Sequence, residues 1–324
     1  MRTAWLYHVA GFTQEEVARR LGLHRSRVNR LLSEARERGL VTVAIHHDAA
    51  RELDVEQAVC SQFGLEFCLS TPVIGFTPAC ASDPASVQMQ GLVARRAVGT
   101  AGASFLRGKL QDGPVRIGVS WGRTLEQVAQ QLSGVRNPRA QFVSLLGSLT
   151  RNSASNPFEV VQAFAARTGG EGHFLPVPFI ADSEADRAVL MAQRSVADAL
   201  ALARSADLFL VSVGELTETS FLRTQNMVSA EELADIRERG AVCDTLGRLF
   251  DSGGQEVLHP LSKRTLAVSP QDMRRKPVVL LAGGLEKVNA ITGLLRTGLI
   301  AGLVVDGDTM LAVAKNPRPL RGMS

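Results

Sequence analysis

The stretch Phe12-Thr-Gln-Glu-Glu-Val-Ala-Arg-Arg-Leu-Gly-Leu-His-Arg-Ser-Arg-Val-Asn-Arg-Leu-Leu-Ser-Glu-Ala-Arg-Glu-Arg-Gly-Leu-Val41 decides how the rest of the chain is read. Thr13 and Glu16 stand at capping-box spacing. This predicts a helix from Gln14, with Val17, Ala18 and Leu21 as its apolar stripe and Gly22 as its end. A second helix is predicted from about Arg25 to Arg38, stopped by Gly39, with Val28, Leu31, Leu32 and Ala35 recurring at helical period. At about 100° per residue, Ser26, Asn29, Arg30 and Ser33 fall on the opposite face, flanked by Arg25 and Arg27.

Two short helices joined by a glycine turn, the second arginine-rich on its outer face, predict a helix-turn-helix whose second helix enters the major groove. Arginine can bond a guanine edge through two parallel hydrogen bonds, asparagine can do so with adenine, and serine can donate to phosphate. The expected DNA contacts are therefore Thr13, Gln14, Arg25, Ser26, Arg27, Asn29, Arg30 and Ser33. The plainer alternative, a surface helix whose arginines only solvate it, leaves the agreement of cap, turn, stripe and charge unexplained.

Charge placement supports the same reading. Residues 1–45 carry eight arginines against four glutamates, and that surplus of four equals the formal charge of the whole chain, +4. The remaining 279 residues are neutral, so only the head has an electrostatic reason to meet nucleic acid. A hydrophobic content of 45% with 21% charged residues is that of an ordinary globular protein. No apolar run reaches membrane-spanning length and none resembles a signal peptide, so a cytoplasmic protein without a membrane partner is expected. Cys60, Cys68, Cys80 and Cys243 are scattered, with no C-x-x-C pair, and read as reduced residues. No metal or cofactor is expected.

Residues 2–10, with Trp5, Leu6 and Val9 at helical spacing, predict a first helix packed behind the other two, Trp5 in the core. Leu40 to Ile45 alternates and reads as a short strand or wing. Ala50 to Phe63 reads as a helical connector suited to pairing two subunits, because one recognition helix covers only a half-site. From Glu66 onward strands alternate with helices. The strand candidates are Phe67–Ile74, Val115–Ser120, Phe142–Leu146, His173–Val177, Leu208–Val213, Thr265–Val268, Val278–Ala282 and Leu303–Val305. The helical stretches are about Ala85–Leu106, Thr124–Leu132, Pro157–Arg167, Glu184–Ala203, Ala230–Arg239 and Glu286–Leu295. Near-continuous apolar strands alternating with helices predict a parallel α/β sheet covered on both faces. The expected division is 1–48 for the head, 49–65 for the connector and 66–324 for the body.

Several strands run into glycine: Ile117-Gly-Val-Ser-Trp-Gly-Arg-Thr124, Leu146-Gly-Ser148, Val213-Gly214 and Leu281-Ala-Gly-Gly284. In a parallel sheet such loops gather at the carboxyl edge, where open α/β folds bind ligands. Glycine lets a ligand approach the backbone, and the helix that follows offers unpaired N–H donors. None of the loops has the spacing of a dinucleotide site or a Walker lysine. Gly118, Ser120, Gly122 and Thr124 offer donors. Trp121 reads equally as a platform for a sugar ring or as core. Asp244 and Asp251 are candidate acceptors for ligand hydroxyls, or else solvated loop residues. Lys287, beside Gly283 and Gly284 at a helix start, runs against the helix dipole, which favours a functional reason for it.

Taken together, Arg19-Arg-Leu-Gly-Leu-His-Arg-Ser-Arg-Val-Asn-Arg-Leu-Leu32, Gly118-Val-Ser-Trp-Gly-Arg-Thr-Leu125, Asp244-Thr-Leu-Gly-Arg-Leu-Phe-Asp251 and Ala282-Gly-Gly-Leu-Glu-Lys287 with Ala290-Ile291 resemble the SorC family of bacterial transcriptional regulators over nearly the whole chain. The last three segments in this order carry the resemblance, since many families share the first. Asn156-Pro-Phe-Glu-Val-Val161 with Pro176-Val-Pro-Phe-Ile180 looks closest to members linked to polyol use, such as erythritol regulators. The lead before the first helix is short for the family.

The resemblance implies a helix-turn-helix head on a Rossmann-like body of the sugar-phosphate isomerase and deaminase type, without catalysis. It also implies a homodimer or homotetramer, operator DNA as partner, and a sugar, sugar alcohol or sugar phosphate as effector. By position, the effector residues would be Gly118, Ser120, Trp121, Gly122, Arg123, Thr124, Gly147, Ser148, Asp244, Asp251, Gly283, Gly284 and Lys287.

The competing expectation is a sugar-phosphate isomerase or deaminase with an accessory head. Such chemistry needs positioned carboxylate, lysine or histidine groups. Only His173 and His259 lie beyond residue 47, and neither sits beside a glycine loop. A structural DNA protein would leave the neutral body without a task.

Overall fold

The computed structural model describes residues 1–41, 50–76, 84–111, 113–148 and 156–316. The expected wing from Leu40 to Ile45 falls mostly outside these residues, as does Cys80.

The head is a three-helix unit, Arg2–His8, Gln14–Leu21 and Arg25–Glu37. Thr13 and Glu16 form the reciprocal capping box, and Gly22 closes the second helix in the left-handed region that a side chain disfavours (φ 65°). Ala4, Val17, Ala18, Val28, Leu32 and Ala35 make the core. Two expectations need correcting here. Trp5 is 57% exposed and Val9 68%, because the seven-residue first helix turns its small residues Thr3 and Ala4 inward. Leu31 is only half-buried, at the edge of its stripe.

The body is built on a seven-stranded sheet. Its strands are β1 (Phe67–Ser70), β2 (Arg116–Val119), β3 (Gln141–Ser148), β4 (Glu171–Pro178), β5 (Leu208–Val211), β9 (Val278–Leu281) and β10 (Gly302–Val305). Their spatial order is β1-β10-β9-β5-β2-β3-β4, and every pairing is parallel. Short β6 (Gly214–Glu215), β7 (Ala241–Thr245) and β8 (Arg248–Asp251) form a separate antiparallel sheet.

Both faces of the sheet are buried along its inner strands, such as β5, β9 and β10, which is why these read as unbroken apolar runs, while the edge strands β1 and β4 are partly exposed. On one face Ile117, Val119, Phe142, Leu208, Leu210, Val279 and Leu281 pack under helices Pro84–Gln111, Arg123–Gln131 and Pro157–Thr168. On the other, Val143, Leu145, Phe209, Val211, Leu280 and Leu303 pack under helices that include Arg194–Arg204 and Val288–Arg296.

The expected helix Glu184–Ala203 is two helices, Glu184–Met191 and Arg194–Arg204. Val196, Leu200 and Ala203 are buried in the second, whereas the first buries no residue, so no common stripe holds them in line. Thr265–Val268 is not a sheet strand. It wedges between β3 and β4, where their register slips, with Gly147 N donating to the Leu266 carbonyl and Leu266 N to that of Phe179. The connector helix Ala50–Phe63 buries Val59 and Phe63 and packs on β1 and on helix Gly307–Ala314 of its own body.

The chain runs from β2 outward through β3 to β4, then returns to the other side of β2 with β5 and continues to β9 and β10. The direction reverses between β2 and β5. This is the topological switch point, where adjacent strand-end loops part and leave a crevice.

Candidate functional site

A small, solvent-open cleft lies at that switch point, where open α/β sheets bind their ligands. Its first wall is the β2 loop, Ser120 to Thr124, and its second the β5 loop, Ser212 to Glu215. Asp244, Thr245 and Leu246 from the β7–β8 hairpin, Phe221 and Leu222, and Lys287 after β9 complete it.

Hydrogen bonds tie the two loops together. Ser212 Oγ donates to the Trp121 carbonyl at 2.7 Å, Ser212 N donates to Ser120 Oγ at 3.2 Å, and Thr245 Oγ1 donates to the Ser212 carbonyl at 2.9 Å. Trp121 is buried, its ring 4.8 Å from that of Phe179 and 4.9 Å, edge-on, from that of Phe221. It is an aromatic floor held by the core and also lines the cleft. Helix Arg123–Gln131 starts at the cleft with Gly122 as its N-cap and no side-chain cap, so its first amides face the opening. Arg123 is exposed at the rim.

The charged part of the cleft is a trio. Lys287 Nζ donates to the Val213 carbonyl at 3.1 Å and lies 3.3 Å from Glu215 Oε2. Asp244 sits over Gly214, and a methyl group at Gly214 would collide with its carboxylate. Glu215 Oε2 is buried and accepts no hydrogen bond among the described residues. Burial pushes Asp244 up to about 6, and the Glu215 charge adds to this, while the Gly247 amide and Lys287 pull the other way. Leu246 and Gly247 turn the hairpin with φ 52° and 72°. A leucine rarely adopts that conformation, and here its side chain is buried in the cleft wall. Two carboxylates, one ammonium and serine hydroxyls over an aromatic floor set hydrogen-bond acceptors and donors side by side in the cleft.

Of the sequence candidates, the structure brings together Ser120, Trp121, Gly122, Arg123, Thr124, Asp244 and Lys287 in this cleft. It places the others elsewhere. Gly118 is inside β2, where a methyl would lie 2.5 Å from Leu145 and 2.7 Å from Phe209. Gly147 lets β3 pass the Pro178 carbonyl, and Ser148 pairs with Pro178. Asp251 Oδ1 holds a turn, accepting from the amides of Gly253 and Gln255. Gly283 and Gly284 lie beneath the Lys287 turn, with Gly284 N donating to Asp306 and Thr309. Sequence reasoning missed Glu215, although Val213-Gly214 was visible as a strand end and a carboxylate follows it directly.

On the head, Arg25, Ser26, Arg27, Asn29, Arg30 and Ser33 are all exposed, opposite Val28, Leu32 and Ala35. Arg30 lies 3.7 Å from Glu34 along the helix. The Thr13 hydroxyl is engaged with Glu16, and Gln14 is half-buried.

Comparison with known proteins bears on both halves. Residues 48–315 match the family model described as "Putative sugar-binding domain", and residues 4–54 match that of the MarR family. The chain is 37% identical to the erythritol catabolism regulatory protein EryD of Brucella abortus, over 98% of this chain and 96% of that protein. It belongs to the SorC family of transcriptional regulators. Within that family it is 28% identical to the sorbitol operon regulator of Klebsiella pneumoniae over 95% of each chain. The full-length crystal structure of that regulator superposes with a TM-score of 0.69 at 25% identity, covering 96% of this chain and 97% of that one. As a SorC-family member the protein is a DNA-binding transcriptional regulator with a sugar-binding body. No described helix is long and apolar enough to cross a membrane.

Proposed function

We propose that the switch-point cleft is the effector site and that its occupancy sets how tightly the head holds its operator. The supporting observation is the convergence of the Ser120–Thr124 loop, Glu215, Asp244 and Lys287 on one opening. Carboxylates accept from vicinal hydroxyls, and Lys287 and the helix amides donate to hydroxyl or phosphate oxygens. The effector is a sugar, a polyol or its phosphate, and the names of the erythritol and sorbitol regulators favour the polyol group. Binding one arrangement of the protein better than another changes operator affinity by the same coupling factor.

In this reading Arg25, Arg27, Asn29 and Arg30 meet the duplex, with Ser26 and Ser33 on phosphate. The protein works as a homodimer or homotetramer in the cytoplasm, because a two-fold operator needs two recognition helices. The body senses and does not turn over its ligand. The regulator names of its relatives support this, and because Glu215, Asp244 and Lys287 are groups that acid–base chemistry could use, turnover is part of the test. A thermal-shift screen against sugars, polyols and their phosphates tests the site, since a ligand of the native state raises the melting temperature. The best hit should lose its shift in Lys287→Ala. An unchanged shift, or turnover of the hit by pure protein, refutes the reading.

A further inference from the structure

Resting on the effector reading above, we propose that cleft occupancy reaches the DNA-binding head through one helix, Gly307–Ala314, gripped at its start by the Gly283–Gly284 loop and at its end by Gln62 of the connector.

The route begins at Lys287. Its backbone amide donates to the Gly284 carbonyl at 2.9 Å, closing the single turn Leu285–Lys287, so the Lys287 backbone and the glycine loop form one piece, and a new pull on the ammonium is felt at that turn. Gly284 N donates at 2.9 Å both to Asp306 Oδ2 and to Thr309 Oγ1. These acceptors are 4% and 0% exposed, so water does not compete for the bonds. Next to them Gly283 is wedged, since a methyl there would lie 2.5 Å from Asp306 Oδ2 and 2.8 Å from Val98. Asp306 is also the N-cap of helix Gly307–Ala314, its Oδ1 accepting from Thr309 N at 3.1 Å. A shift of the loop therefore moves the first turn of this helix.

The helix cannot absorb that shift by deforming, because its inner face, Met310 and Val313, is fully buried in close-packed core. It lies against Ala50–Phe63, the first described element after the head. Just past its end, the Asn316 carbonyl accepts from Gln62 Nε2 at 3.1 Å and from Arg296 at 3.2 Å. Lys287 supplies the two positions that a switch requires. Without effector it holds the Val213 carbonyl and Glu215, and with effector it exchanges these for ligand oxygens.

The test uses the full-length protein, a duplex selected by the wild type from a random pool, and erythritol and erythritol 4-phosphate as probes. Gln62→Leu removes the donor, Gln62→Lys keeps one, and Thr309→Val removes one acceptor of Gly284 N in nearly the same volume. Gln62→Leu and Thr309→Val are expected to bind probe within about twofold of wild type by calorimetry. Both should hold the duplex normally without probe, yet show a probe-induced change in duplex affinity at least about fivefold smaller, against the 5–150-fold typical of such coupling. Gln62→Lys should keep most of the response. Wild-type response in both Gln62→Leu and Thr309→Val overturns the route while leaving the effector site standing. A wild type that binds neither probe, or binds without changing duplex affinity, overturns the effector reading and the route with it.

Discussion

The Lys287 ammonium bridges the cleft, donating to the Val213 carbonyl at 3.1 Å and facing the Glu215 carboxylate at 3.3 Å. The loop after β9 is thereby tied to the loop after β5. The side chains of Lys287 and Glu215 are 11% and 15% exposed, so each charge depends on the other for compensation. Lys287→Met should cost about 3 kcal/mol of stability, the scale for breaking a buried pair by removing one partner. Glu215→Gln added to Lys287→Met should recover much of that loss. Denaturant melts of the two single variants and the double variant check this, and simple additivity would show that the charges do not interact.

Asp244 makes stability depend on pH. Its folded-state value, about 6, lies above the ordinary 3.8, so the native state holds more protons than the unfolded state between those limits. Stability should therefore fall as pH rises from about 4 to 6 and stay level above, a total of roughly 3 kcal/mol. Asp244→Asn should flatten this slope and melt higher than wild type at pH 8. With Asp244 as an acceptor for effector hydroxyls, as proposed, effector binding should strengthen over the same interval. A variant whose melting temperature follows pH as the wild type does would place the titration elsewhere.

On the head, Arg30→Ala or Asn29→Ala should weaken operator binding by about 1–3 kcal/mol each and relax specificity at one base pair. Arg25→Ala, if it meets phosphate, should weaken binding to all duplexes and lower the salt slope by about one. Effector binding should not change in any of them. Fluorescence anisotropy over a salt series, alongside effector calorimetry, separates these outcomes.

Gly147→Ala distinguishes a structural glycine from a ligand-binding one. The added methyl would lie 2.5 Å from the Pro178 carbonyl, a backbone atom that cannot turn aside. A loss of about 1–3 kcal/mol is expected from overpacking, with unchanged affinity in the fraction that folds. Wild-type stability with lost effector binding would return Gly147 to the site.

The parts of the fold legible in the sequence are those set by neighbours along the chain. Thr13 and Glu16 announce their capping box three residues apart, and Leu208–Val211 reads as a buried strand because both sheet faces are covered. Trp5 misleads because burial of a short helix is decided by which residues let it approach its neighbours, and Thr3 and Ala4 do that better. The cleft was half legible. Ser120 to Thr124, Asp244 and Lys287 stand beside glycines, but Glu215 matters only because β6 pairs with β7 and because β5 lies next to β2. Strand order, which local pattern does not encode, also explains why the Gly147 loop lies one strand away from the opening. Thr265–Val268 has the composition of a strand, yet the split between β3 and β4 takes it as a wedge.

The pairing of β1 with β10, Phe67 opposite Gly302 and Ser70 opposite Val305, bears on how the polypeptide is born. During translation the edge strand waits for its mate until residues 302–305 have been made, and such distant pairings assemble slowly. The three helices ahead of it draw their core from residues 4–41 and can settle soon after they leave the ribosome. A nascent chain thus acquires its grip on a duplex well before it acquires the means to let go.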